Sequence, residues 1–324
     1  MERSTNIRGR LAPSPTGALH VGNARSFLLA WLSVRSGGGT VVLRMEDLDH
    51  PKVKPGTADA VLDDLRWLGL DWDEGPDVGG VHAPYVQRER VPYYAAALQK
   101  LLAAGLVYPC VCSRQDVASA QQAPHAEDYQ WYPGTCRDRF ATFAEASARL
   151  PRERLPAWRF RVPEGHVGFE DGFCGYSETD VAQRDGDFVL ARNLHGAGYM
   201  LAVVVDDAAM GMTEVVRGDD LLPATHRQLL LYRALGLEPP QFIHVPLVVG
   251  SDGRRLAKRH GDTRLCAYRE QGVPPERIVG FLAWSCGLVP FGTSCRPQEL
   301  VRAFSFDSLP HEPLVLTTAL SQAL

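Results

Sequence analysis

The opening of this chain constrains its fold more than any other feature. Gly9 to Ala12 reads as a short strand running into a Pro/Gly loop, and Asn23 to Arg35 follows with Phe27, Leu28, Trp31, Leu32 and Val34 at helical spacing. Ser36-Gly37-Gly38-Gly39 stops that helix, and Thr40 to Met45 is a β-branched, apolar strand. Such a unit is expected to have parallel strands and a right-handed crossover. Its loop, Arg10 to Asn23 (RLAPSPTGALHVGN), sets Gly17 and Gly22 around a helix start, where backbone N–H groups can face a phosphate. A second segment, Gly253 to His260 (GRRLAKRH), carries Lys258 on a loop near the far end of an α/β pattern. Either alone also reads as a turn or a basic surface loop; together they predict one ATP site. His20 can donate to a phosphate oxygen, Gly22 leaves room for a flat base, and Lys258 can follow charge as it moves onto the phosphates.

At 324 residues, about two domains are expected. A hydrophobic fraction of 45% suits an ordinary globular core. The net charge of −4 argues against wholesale coating of nucleic acid but allows local basic faces. Arg152, Arg154, Arg159 and Arg161 make one candidate, which reads equally as solvated surface; Arg254 to His260 make another. No signal-peptide core follows the N-terminal charges, and no apolar run approaches the roughly 20 residues that span a bilayer. The longest such run, Met200 to Val205, reads as a buried strand. Cys174, Cys266, Cys286 and Cys295 are scattered, which fits free thiols in a reducing, cytoplasmic compartment.

Ala58 to Leu68 and Val91 to Ala104 read as helices, and from Val111 to about Glu164 the pattern loosens into an insertion. Strands are expected at Phe188 to Arg192, Tyr199 to Val205, Glu214 to Val216 and Phe242 to Val249, with a helix at Thr225 to Leu235. Helical stretches follow near Leu265–Glu270, Pro275–Gly287 and Pro297–Phe304, while Pro310 to Leu324 reads as a frayed tail. Within the insertion, Cys110, Cys112 and Cys136 offer three thiols. Structural zinc is usually four-coordinate, and either His125 or Tyr132 can complete the set; by chemistry alone histidine is the more usual ligand.

The first segment is similar to the "HIGH" motif of class I aminoacyl-tRNA synthetases, and the second to their "KMSKS" loop. Arg10 to Gly17, Arg44-Met-Glu-Asp47, Leu201 to Asp207 and Glu214 to Asp219 resemble the glutamyl branch specifically. Two departures stand out: Asn23 replaces the motif's last histidine, and Leu256-Ala-Lys-Arg-His260 keeps clearly only the central lysine. The resemblance implies an α/β fold with a doubly wound parallel sheet, an inserted zinc-containing subdomain and a small C-terminal helical segment. The implied divisions are 8–109 and 187–262 for the catalytic halves, 110–186 for the insertion and 263–324 for the C-terminal segment.

The resemblance also assigns site residues. Glutamate binding falls to Arg10, Leu11, Ala12, Pro13, Ser14, Glu46, Tyr199 and Arg217; ATP binding to His20, Gly22, Asn23 and Lys258, with His20 and Lys258 catalytic. Two arginines suit the two carboxylates of glutamate and Glu46 its ammonium, although Arg10, Glu46 and Arg217 could equally form a structural ion-pair network. The family spacing favours Cys110, Cys112, Tyr132 and Cys136 as ligands of one structural Zn²⁺, bracing the insertion against RNA. ATP would enter with Mg²⁺.

Only some 65 residues follow Lys258, too few for a separate anticodon-binding domain, so the resemblance points to the short members of the branch. These activate L-glutamate without tRNA and attach it to queuosine at the first anticodon position of tRNA(Asp). A monomer with no membrane partner is expected. The competing readings are a truncated enzyme charging a tRNA 3′ end, a small-molecule ligase of the same nucleotidyl-transfer fold, and a zinc-dependent RNA-binding protein with a degenerate ATP site.

Overall fold

The computed structural model describes residues 7–48, 53–119, 131–192, 196–254, 256 and 263–322. Strand β1 (Arg8–Leu11), helix α1 (Val21–Ser36) and strand β2 (Thr40–Leu43) form the opening unit, with β1 and β2 parallel from Arg8 opposite Thr40 to Leu11 opposite Leu43. The glycines after α1 allow the tight return. Gly38 sits at φ 65°, a left-handed conformation open to glycine, and a Cβ on Gly39 would collide with the backbone oxygen of Ile7.

Helices α2 (Thr57–Trp67) and α3 (Val91–Ala103) lead to the insertion. There β3 (Val107–Cys110), α4 (Arg114–Ser119), α5 (Phe143–Ser147), β4 (Ala157–Phe160), the hairpin β5 (His166–Asp171) and β6 (Gly175–Asp180), α6 (Val181–Arg184) and β7 (Phe188–Ala191) follow in order. Strands β3, β4 and β7 form one antiparallel sheet. The four arginines of the loosened region do not share a basic face. Arg159 is buried against Cys110, and Arg161 pairs with Asp138 at 2.8 Å.

The run from Tyr199 is helix α7 (Tyr199–Ala209), not the expected strand. All residues from Leu201 to Asp207 are buried, so the helix has no polar face and its apolar run lacks the period that would mark it. Its Asp206 is a hub: it accepts from Arg90 Nε at 2.6 Å, Gln87 Nε2 at 2.9 Å and Tyr94 O–H at 2.7 Å, tying α3 and the turn before it to α7.

Strand β8 (Glu214–Gly218), helix α8 (Leu222–Leu235) and strand β9 (Gln241–Val245) make a second parallel crossover, with Glu214 opposite Gln241 and Gly218 opposite Val245. It meets the first where Thr213 N–H donates to the Arg8 carbonyl at 2.9 Å. Rather than one continuous ladder, the described parallel strands form adjoining pairs, consistent with an α/β fold. Strand β10 (Val248–Gly250) precedes α9 (Leu265–Glu270), α10 (Pro275–Ser285), α11 (Pro297–Leu300), β11 (Leu314–Leu316) and α12 (Thr318–Gln322).

The C-terminal segment is not frayed. Strand β11 pairs in parallel with β10, and His311 stacks on Phe173 with ring centroids 4.5 Å apart. A three-residue strand whose partner lies far along the chain leaves almost no local signal. One apolar core lies around α1, β1, β2 and α10, and a second around α3, α7, α8 and the antiparallel sheet. No helix among the described residues is long and apolar enough to cross a membrane.

Candidate active site

A cleft of about 390 Å³ opens where β1 and β8 end and α1 begins, and Arg10, His20, Gly22, Glu46, Tyr199 and Arg217 all line it. The ladder between β1 and β2 continues into the loops: Arg44 N–H donates to the Leu11 carbonyl and Glu46 N–H to the Pro13 carbonyl, both at 2.9 Å. These bonds set Glu46 against the Pro/Gly loop. Ala12 and Ser14 line the cleft too. Leu11 lies in the core, and Pro13 lines an adjoining hollow of about 410 Å³ with Thr16, Gly17 and Asn23.

The charged residues do not form the single ion-pair network that was one expectation. Asp207 on α7 accepts from Arg10 Nε at 3.0 Å and Arg44 Nη1 at 2.7 Å through the same oxygen, and Arg44 Nη2 reaches Glu46 Oε1 at 2.9 Å. Burial alone would raise the Asp207 pKa, but the two arginines hold it below the ordinary carboxylate value. Arg217 stands apart. It is buried and has no carboxylate partner among the described residues; Nε donates to His244 Nε2 at 3.0 Å and Nη2 to Thr225 Oγ1 at 2.8 Å and Gln228 Oε1 at 2.7 Å. Its Nη1 finds no partner at all among them. Burial pushes its pKa below the ordinary arginine value. A buried guanidinium with an unused donor beside a cavity has the charge and the hydrogen-bonding capacity to take an anion.

His20 is the N-cap of α1. Its Nδ1 accepts from Asn23 N–H at 3.4 Å, while Asn23 Oδ1 accepts from His20 N–H at 3.5 Å. Asn23, the departure from the family motif, is thus half of a reciprocal cap, and a neutral ring that accepts at Nδ1 carries its proton on Nε2. A Cβ on Gly22 would sit 3.1 Å from the His20 ring and 3.5 Å from Val248 Cβ, so only glycine leaves this wall open. Lys258 lies outside the described residues. The chain on either side of it is at the cleft: Leu256 lines the wall, and Thr263 accepts from Val21 N–H at 3.0 Å.

The sequence reading missed Asp207, Arg44, Thr225, Gln228, His244 and Asp171 as parts of the site. A histidine inside the apolar run Phe242-Ile-His-Val245 and two aspartates closing the run Val203 to Asp207 were the available signals, since polar groups in such runs need buried partners.

In the insertion, Cys110, Cys112 and Cys136 form a group that can hold a metal ion, with sulfurs all within 4.8 Å of one another. Tetrahedral thiolate coordination of zinc at ~2.3 Å places sulfurs about 3.8 Å apart, which this group fits. Tyr132 belongs to the cluster: its hydroxyl lies 3.4 Å from Cys110 Sγ and 3.8 Å from Cys112 Sγ, and accepts from Cys136 N–H at 2.8 Å. His125 lies outside the described residues. The Cys110 thiol is held below the ordinary thiol value, chiefly by a hydrogen bond from Cys136, with help from Arg159, whose Nε is 3.1 Å from the sulfur.

Residues 6–312 match the model of the family described as tRNA synthetases class I (E and Q), catalytic domain. The chain belongs to that family, a group of ligases. Within it, the chain is 49% identical over 310 residues to the glutamyl-Q tRNA(Asp) synthetase of Nitratidesulfovibrio vulgaris, covering 95% of both. It is 49% identical over 308 residues to the enzyme of the same name from Symbiobacterium thermophilum, covering 94% of both. Similarity to the glutamate–tRNA ligase of Heliobacterium modesticaldum is 44% over 316 residues, 96% of this chain but 62% of that protein. A crystal structure of a glutamate tRNA ligase from Elizabethkingia meningosepticum, in complex with its amino acid, superposes with a TM-score of 0.81 at 27% identity, covering 98% of this chain and 68% of that one.

Proposed function

We propose that the protein activates L-glutamate with Mg-ATP in the absence of RNA and transfers the glutamyl group to queuosine at the first anticodon position of tRNA(Asp). The observation that carries the reading is Arg217, a buried guanidinium without a carboxylate partner among the described residues, on the wall of the cleft that also holds Glu46 and His20. A substrate with two carboxylates and an ammonium complements Arg10, Arg217 and Glu46, and Tyr199 adds a hydroxyl. Identity of 49% across about 95% of the chain to relatives named for the queuosine reaction supports the nucleic-acid end.

In this reading the α-carboxylate of glutamate attacks the α-phosphorus of ATP, pyrophosphate leaves, and a mixed anhydride forms. His20 Nε2–H and Lys258 neutralise charge on the phosphates, and Gly22 and Asn23 shape the nucleotide wall. A hydroxyl of the queuosine cyclopentenediol then attacks the anhydride carbonyl and expels AMP. The cleft supplies alignment rather than a dedicated base, since AMP is a good leaving group. Cys110, Cys112, Tyr132 and Cys136 would hold one Zn²⁺, which stiffens the insertion and takes no part in the chemistry.

The test is glutamate-dependent ATP–pyrophosphate exchange without RNA, followed by mass spectrometry of the nucleotide that becomes glutamylated. Exchange and a glutamylated queuosine nucleoside are expected. Glutamate on a 3′-terminal adenosine would replace the reading with tRNA charging, and absence of exchange would remove the activation step.

A further inference from the structure

His244 is fully buried in β9 between two charged groups. Its Nδ1 lies 2.6 Å from Asp171 Oδ2 and its Nε2 3.0 Å from Arg217 Nε. Arginine Nε–H can only donate, so Nε2 is the acceptor, and the ring proton sits on Nδ1 and points to Asp171. Asp171 is fixed in turn, because its Oδ1 accepts from the backbone N–H groups of His244 at 3.1 Å, Phe173 at 3.0 Å and Cys174 at 2.8 Å. Burial pushes the Asp171 pKa up, but these bonds and the one from His244 hold it below its ordinary value. The guanidinium at the end of this chain thus has Nε committed to His244 and Nη2 to Thr225 and Gln228, with Nη1 over.

We propose that His244, locked in its Nδ1–H tautomer by Asp171, is a positioning residue that aims Arg217 at a carboxylate of the amino-acid substrate. The inference rests on the reading of the cleft as a glutamate site. His244 acts through Arg217 and touches no reacting atom. If the ring carried its proton on Nε2, two N–H groups would face each other, and Arg217 would have to turn away.

The same geometry gives a pH dependence. Asp171 from β5, Arg217 from β8, Asp220 from the turn before α8, the Cys174 thiol on the His244 carbonyl and, across the Phe169 ring, His226 are the titratable groups facing His244. Burial first, then Arg217, lowers the His244 pKa below 6.5 against the opposing pull of Asp171. The ring is therefore neutral above pH 6.5, and the aim of Arg217 is constant there.

The experiment measures KM for glutamate and for ATP by exchange in wild-type protein and in His244→Phe, His244→Gln and Asp171→Asn. His244→Phe removes the acceptor, and Asp171→Asn lets the ring flip its proton to Nε2. Both are expected to raise the glutamate KM about tenfold or more while the ATP KM stays within about twofold. His244→Gln keeps an oxygen able to accept from Arg217 Nε, and its glutamate KM is expected within about threefold of wild type. The wild-type glutamate KM should be flat from pH 8 to 6.5 and rise only below. Unshifted glutamate KM values in the variants, or equal rises in both KM values, overturn the inference. Should the variants not fold, ¹⁵N NMR of the wild-type histidines decides: a bare Nε2 on His244 is expected, and an Nε2–H overturns it. Wild-type protein lacking glutamate-dependent exchange overturns the reading of the cleft and this inference with it, whereas exchange with unshifted variants overturns this inference alone.

Discussion

The backbone N–H of Val21 donates to the carbonyl of Thr263 at 3.0 Å, and two residues on Leu265 N–H returns the bond to Leu19 at 2.9 Å. The helix start of the opening crossover is thereby stitched to the chain that follows residues 257–262. Leu256, on the near side of the undescribed residues 257–262, lines the cleft wall. Lys258→Ala is expected to lower the exchange kcat about 10²–10³-fold, as loss of one transition-state donor does. On the proposed role of the lysine at the phosphates, the glutamate KM should move less than about threefold. A change confined to the glutamate KM would contradict that role.

The opening unit and most helices were legible because their signals are local: apolar residues at helical spacing from Phe27 to Val34, and three glycines closing α1. Helix α7 was not, since burial on every side erases the period. Asn23 looked like a lost motif residue, yet His20 and Asn23 stand at the spacing of a reciprocal cap, a signal readable without the fold. That Arg10 would pair with Asp207 while Arg217 had no carboxylate partner among the described residues was not legible at all. Both are arginines on strands, and the distinction is made by which segment of α7 or α8 the fold lays beside them.

The isolation of Arg217 makes a stability prediction. Removing one member of a buried ion pair is costly because the other charge is left behind; among the described residues Arg217 donates only to neutral groups, so its removal leaves no buried charge uncompensated. Thr225 Oγ1, 3.1 Å from His244 Nε2, can take over as donor to the ring. Arg217→Met is therefore expected to abolish exchange and to leave the melting temperature unchanged or raise it by several degrees, at about 2–4 °C per kcal/mol for a chain of this size. Differential scanning calorimetry of the two proteins checks it. A marked fall in melting temperature would make Arg217 a structural residue instead.

Asp207 behaves in the opposite way. It neutralises Arg10 and Arg44 together, so Asp207→Asn is expected to destabilise the fold by about 3–5 kcal/mol at neutral pH, the cost of leaving buried charge uncompensated. Its folded pKa lies below the ordinary 3.8, so its ionic contribution is fully present above that value and is lost as pH falls through the lower folded one. The stability gap between wild type and variant should be constant from pH 8 to about 5 and close below pH 3.8. A gap that varied near neutrality would point to another group.

The cysteine cluster packs in its own small apolar core with Tyr108 and Phe140, separate from the core beneath the cleft. Removing the metal should therefore spare glutamate activation. Elemental analysis is expected to find about one zinc per chain, and Cys112→Ser to lose it, because three protein ligands seldom retain structural zinc. Exchange should stay within about twofold while transfer to RNA falls. Equal loss of both activities would place the metal in the catalytic step.

The pairing of β11 with β10 ties the C-terminal segment to the wall of the cleft. Val248 faces Leu314 in that ladder and lines the cleft beside Gly22, where a Cβ would lie 3.5 Å from the Val248 Cβ. Leu314 N–H also donates to the Leu247 carbonyl at 3.0 Å, and Leu247 lines the cleft. Deleting 310–324 exposes one edge of β10 and frees both wall residues to shift. The expected result is a fall in melting temperature, since the deletion removes a strand pairing and the buried Leu316. The ATP KM should rise about 3–10-fold, with the glutamate KM less affected because Arg217 and Glu46 are anchored on other elements. A segment without packing would leave both constants and the melting temperature where they were, so unchanged values in the truncated protein would mean that this strand pair contributes nothing to the site.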